Sequence, residues 1–173
     1  MPTYQSNRFK NQRRNMALAR IRAEAKKIRD AYHSSFIECR INDNQGNHNL
    51  VCNLHFNIAG TECEAKIVYD GINPPKCWLI SPTFNDPQHI YKAEGNLCLY
   101  DPKNKEWTNS SHVYNTFVPW CMEWVVFQML YERTGIWQHP ERHPGSYSDL
   151  ELRELCNKYD IPFEKAKSLL NNI

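Results

Sequence analysis

Four short segments of alternating apolar and polar residues, each stopped by turn-forming residues, constrain this chain more than any other feature. "SFIECRI" (35–41) runs into "NDNQGN", and "NLVCNLHFN" (49–57) breaks at "IAGTE". "CEAKIVYD" (63–70) breaks at "GINPP", and "KCWLISP" (76–82) ends at Pro82. Period-two alternation marks strands with one buried face, and breaks about every dozen residues predict an antiparallel meander. Cys39, Cys52, Cys63 and Cys77 fall inside these strands and read as packing residues.

Helical patterns flank the meander. After Asn15, a fair helix cap, Leu18, Ile21, Ala25, Ile28 and Tyr32 follow in steps of three and four. They predict an amphipathic helix over 16–32 with a basic outer face. Residues 1–15 read as a flexible basic tail. In the second half, Trp120, Trp124, Phe127 and Tyr131 form an aromatic stripe at helical spacing. Pro119 suits a helix start or a kink, and Gly135 its end. Such a stripe belongs to a core. Past "HPERHPG" (139–145), two small helices are expected. Ser148 and Glu151 make a capping box for the first, with Leu152, Leu155 and Tyr159 on its face. Asp160 and Pro162 open the second, with Phe163, Ala166 and Leu170. The fold class is therefore α+β: an N-terminal helix, a four-stranded antiparallel meander, a long loop and C-terminal helices. Residues 16–146 make the main domain, and 147–173 a helical extension of it.

Totals exclude several functions. The chain has 173 residues, 41% of them hydrophobic, enough for one domain with a core. Its formal charge of +2 does not suit a general polyanion binder. The basic residues of the first helix lack interleaved aromatics, so nucleic acid is not the expected partner. No apolar run reaches the roughly 20 residues of a membrane span, and the start lacks an apolar signal core. Seven cysteines, an odd number without a Cys-x-x-Cys, argue against a closed disulfide framework or a zinc ribbon. A cytoplasmic location with free thiols follows. His139 and His143 have ligand spacing only on a helix, which Pro140 and Pro144 oppose, so no metal or other cofactor is expected. Cys121 and Cys156 read as packing residues.

Cys98 stands apart. It lies in "EGNLCLY" (94–100), inside a connection from 83 to 109 with no sustained period. Long loops within compact domains are usually functional. Here the sequence resembles a known family, in "NPPKCWLISPTFNDPQHIYKAEGNLCLYDPKNKEWTNSS" (73–111). Ubiquitin-conjugating enzymes show Pro-Pro before the fourth strand, then His-Pro-Asn-hydrophobic-Tyr, a Gly turn, hydrophobic-Cys-Leu and a later Trp. The corresponding residues here are Pro74-Pro75, Pro87-Gln88-His89-Ile90-Tyr91, Gly95, Leu97-Cys98-Leu99 and Trp107. With "WCMEWVVFQMLYERTGIW" (120–137), the chain is similar to bacterial members found in anti-phage cyclic-oligonucleotide signalling (CBASS) operons. The similarity runs from about residue 16 to 136.

The resemblance implies a UBC-like fold and a transferase that takes a partner's C-terminus as a thioester on Cys98. The implied cargo is a cGAS-like nucleotidyltransferase or a ubiquitin-like protein, loaded by a separate activating enzyme or by another route. His89 stands where the family has its oxyanion-stabilising Asn. A histidine ring nitrogen can donate in that role or prop the loop. The turn between Tyr91 and Cys98 is one residue longer than the family's. Tyr91 reads as packing with a hydroxyl towards the site, and Gly95 as a turn residue. Trp107 packs the loop on the sheet. Asp101 either orients an incoming lysine or is a solvated charge. Arg20, Arg22 and Lys26 would meet the activating enzyme. Two other readings stay open: a non-catalytic UBC-like binding module, and a cysteine hydrolase needing a base beside the thiol.

Overall fold

Strands pair in chain order in the computed structural model, which describes residues 4–44, 47–101, 103, 106–137, 149–158, 162–164 and 167. β1 (Ile37–Asn44), β2 (Asn47–Ile58), β3 (Thr61–Tyr69) and β4 (Lys76–Ser81) form an antiparallel sheet of order β1-β2-β3-β4. This is the expected meander. Its register follows the alternation: Ile37 faces Leu54, Cys52 faces Ile67, Leu54 faces Ala65 and Ile67 faces Cys77. These residues share one face and are buried. A one-residue slip would turn the whole set towards water, so the pattern pins the pairing.

α1 (Tyr4–Ala31) lies on that face through Ile21, Ala25 and Ile28. It starts well before residue 16, a correction to the expected tail. The apolar stripe begins only at Ala17, and residues 9–16 are exposed. Residues 9–16 are thus helix without a buried side. Extending a formed helix needs only residues of fair propensity, since nucleation is the costly step. At Gly71 (φ 78°), an added Cβ would stand 2.5 Å from the Ala17 carbonyl oxygen. Only glycine lets helix and turn approach so closely.

α2 (Phe117–Thr134) follows a 3-10 turn at Val113–Asn115. Trp120, Trp124 and Phe127 are buried as expected, and so are Val118, Cys121, Met122 and Val125. The helix is therefore buried nearly all round, not along one stripe. It ends at Gly135, whose amide donates to the Tyr131 carbonyl at 2.7 Å. α3 (Asp149–Lys158) is the first of the expected C-terminal helices and buries Cys156. His139, His143, Ser148, Tyr159, Ala166 and Leu170 lie outside the described residues. No helix among the described residues is long and apolar enough to cross a membrane.

Candidate active site

Residues 89–98 close into a small hairpin. Ile90 and Leu97 form an antiparallel bridge, and the Cys98 amide donates to the His89 carbonyl at 2.7 Å. The Tyr91 amide donates to the Asn96 carbonyl at 2.8 Å. Two turn bonds, Glu94 and Gly95 amides to the Tyr91 carbonyl, close the tip. Gly95 takes φ 72°, which side chains resist, so glycine sets this turn. Three contacts hang the hairpin on β4. The Leu97 amide donates to the Cys77 carbonyl at 2.7 Å, Trp78 Nε1 donates to the Glu94 carbonyl at 3.0 Å, and Lys76 pairs with Glu94.

Leu97 and Leu99 are buried, at 4% and 6% exposure, so Cys98 between them faces the other way and is half-buried. Its Sγ lies 3.7 Å from the Tyr91 hydroxyl and 3.8 Å from the Tyr100 carbonyl oxygen. Burial first, then the adjacent Cys98 thiol, push the Tyr91 phenol up to about 12. Tyr91 therefore keeps its proton at neutral pH and can donate a hydrogen bond beside the sulfur. Tyr91 is 42% exposed, so the site is open on that side.

His89 contributes its main chain to this arrangement. It adopts φ 48°, a left-handed conformation unusual for a side-chain residue, and its carbonyl fixes the Cys98 amide. Its ring stacks on Trp137, with centroids 4.8 Å apart and planes 22° from parallel. The Asp101 carboxylate accepts from the Lys103 amide at 2.8 Å, and the Asp101 amide donates to Glu106 Oε2 at 2.8 Å. Asp101 thus shapes the turn after the thiol. Trp107 packs edge-on to Tyr69 at 5.9 Å and Phe117 at 5.2 Å, fastening the loop to sheet and helix.

The three α1 residues expected to meet a partner, Arg20, Arg22 and Lys26, divide. Arg20 turns inward: its guanidinium donates to the carbonyls of Asn109 and, at 2.7 Å, Ser111, and sits 3.8 Å from Glu24. Arg22 and Lys26 are exposed, with Lys26 paired to Asp30. Glu24 itself is 1% exposed and receives the Val113 amide at 2.9 Å and His112 Nδ1 at 2.7 Å. This knot ties α1 to the loop that follows the thiol.

A second tie escaped the sequence reading. Gln128 of α2, fully buried, accepts from the Gln88 amide at 2.9 Å and donates to the Asp86 carbonyl at 3.0 Å. Trp124 Nε1 donates to the Gln88 carbonyl at 3.1 Å, and the Tyr131 hydroxyl to Asp86 Oδ2 at 2.7 Å. The chain entering His89 is thus clamped to α2. The signal was a single amide within "WVVFQMLY", since a buried amide must find partners. Glu24 gave a similar signal, a carboxylate in register with Ile21 and Ile28. Among the described residues no group of three His, Cys, Asp or Glu is arranged to hold a metal ion.

A family model described as Type II CBASS E2 protein matches residues 24–144, which takes in the sheet, the hairpin, Cys98 and α2. A search of curated proteins found no match. The matched stretch is well over half of the chain and holds the thiol, its hairpin and both ties that fix them, so this protein belongs to the family of type II CBASS E2 proteins.

Proposed function

We propose that the protein carries the C-terminal carboxyl group of a partner as a thioester on Cys98 and passes it to an amine in anti-phage defence. The partner is a cGAS-like nucleotidyltransferase, by the resemblance stated above. In loading, the Cys98 thiolate attacks an activated acyl group supplied by an activating protein. The new C–S bond forms as the bond to the activating group breaks. In discharge, an amine attacks the thioester carbon, the C–S bond breaks, the amine loses its proton and the thiol returns. Both steps pass through an oxyanion that a nearby donor stabilises. The Tyr91 hydroxyl is the donor in this reading. His89 sets the position of Cys98 through its carbonyl, and Asp101 and Trp107 hold the loop.

One observation carries the reading: a half-buried thiol, not sealed in the core, 3.7 Å from the hydroxyl of the exposed Tyr91, on a segment whose neighbouring leucines anchor it. That setting also favours a carrier over a hydrolase. Among the described residues, the groups hydrogen-bonded to the sulfur are a protonated phenol and a backbone carbonyl, and neither takes up a proton at neutral pH. The test is a non-reducing gel of the protein with its activated partner. A band that thiol reductant removes and Cys98→Ala lacks supports the carrier. Equal non-covalent binding by both proteins, with no such band, establishes a binding module instead. On the same gel, charge reversal at Arg22 and Lys26 slows loading if α1 meets the activating enzyme. Arg20 is kept out of that test because its internal bonds hold the loop.

A further inference from the structure

We propose that Cys39 and Cys52 are a site of reversible oxidation, closing to a cross-strand disulfide when the folded protein meets a hydroperoxide. The two cysteines are direct partners in the β1–β2 ladder, and their sulfurs stand 2.9 Å apart. Directly opposite residues of an antiparallel pair have Cα atoms about 4.5–5.5 Å apart, inside the range a disulfide accepts. Closure therefore asks for side-chain adjustment and little from the backbone.

The pair is also asymmetric in the way such chemistry requires. β1 is the sheet edge, and Cys39 on it is half-buried, while Cys52 on the inner strand is fully buried. A hydroperoxide meets Cys39 first. The Cys52 thiol, hydrogen-bonded to Cys39, draws the Cys39 pKa below the ordinary thiol range, against the opposing effect of burial. The Arg29 guanidinium adds to this, and its Nη2 donates to the Cys39 carbonyl at 3.3 Å. Cys52 is pushed the other way and keeps its proton until it is needed. Low-pKa, accessible thiols beside a second thiol are the ones oxidised selectively.

The steps balance. The Cys39 thiolate attacks one peroxide oxygen; the O–O bond breaks, and the leaving oxygen takes up a proton to depart as water or an alcohol. Cys39 is then a sulfenic acid. The Cys52 sulfur attacks the Cys39 sulfur, an S–S bond forms, the S–O bond breaks, and the Cys52 proton leaves with the hydroxyl as water. Two equivalents of a small thiol reverse the reaction and become a disulfide themselves. None of this uses Cys98. The remaining strand and helix cysteines, Cys63, Cys77, Cys121 and Cys156, are buried and offer a peroxide no comparable approach.

Hydrogen peroxide on the full-length chain tests the proposal. The reaction is quenched, free thiols are alkylated, and the chain is cut after Arg40, which separates the two cysteines. The expected product is a pair of peptides joined between Cys39 and Cys52, lighter by two hydrogens and parted by dithiothreitol. Near-UV circular dichroism recorded alongside should remain that of the folded protein. In Cys52→Ala, Cys39 should stop at the sulfenic acid and react with dimedone; in Cys39→Ala, Cys52 should stay reduced. Cys52 left reduced in the wild type after Cys98 is fully oxidised would overturn the proposal. So would a cross-link that forms only after the dichroism signal is lost.

Discussion

Cys98 differs from its neighbours by one position in a two-residue repeat. Leu97 and Leu99 take the buried side, and the sulfur takes the other. That much was legible in "LCLY", because alternation fixes direction wherever a segment is extended. A Tyr91 hydroxyl turned towards the site was expected, but the fold that brings it to the sulfur was not legible. Tyr91 reaches the sulfur because the Ile90–Leu97 bridge and the Gly95 turn fold the segment back on itself, and turn closure leaves no periodic trace. The ring of His89 was equally hidden, since its stacking partner Trp137 lies beyond α2. Tyr91→Phe removes one hydroxyl and keeps the ring. If that hydroxyl stabilises the oxyanion, transfer from Cys98 should slow on the order of 100-fold with unchanged melting temperature. Single-turnover discharge of the loaded protein measures this. A transfer rate equal to wild type would remove Tyr91 from the chemistry, and His89→Ala then becomes the decisive variant.

At the scale of elements, α1 shows what pattern-reading captures and what it misses. Ile21, Ala25 and Ile28 gave its buried side correctly, because burial and periodicity are the same fact. Its start was missed because residues 9–16 are exposed and carry no period. The basic face and the family resemblance grouped Arg20 with Arg22 and Lys26, yet its guanidinium bonds to carbonyls of Asn109 and Ser111, far along the chain. The Glu24 knot is the energetic centre of that contact. Removing one member of a buried, hydrogen-bonded charged pair typically costs about 3 kcal/mol or more. Glu24→Ala leaves the Val113 amide and the His112 ring without their acceptor. It should lower unfolding free energy by about that amount in urea titration. A loss under about 0.5 kcal/mol, ordinary for a surface change, would show that the knot stores little.

For the whole molecule, the meander was readable strand by strand, and the fold class with it. The degree to which α2 is enclosed was not, since the stripe named one face while the structure covers nearly all of them. Glu123 is caught in that enclosure. It is 4% exposed, and among the described residues its Oε1 has no hydrogen-bond partner. Burial pushes its carboxyl up to about 8 from an ordinary 4.5. Between those values the folded chain holds a proton that the unfolded chain releases. The resulting stability is full below about 4.5 and is lost as pH rises through about 8. Glu123→Gln should flatten this dependence. Across that window the wild type should lose on the order of a few kcal/mol more than the variant, in urea titrations at matched pH. Parallel curves for the two proteins would refute the assignment. The anchoring of Cys98 by its two leucines has a consequence of its own. A group attached to that sulfur would lie on the side away from Leu97 and Leu99, so the interior need not repack to admit it. Capping Cys98 with a small alkylating reagent should therefore leave the melting temperature where it was, while Cys77 and Cys121 should resist the same reagent until the domain unfolds.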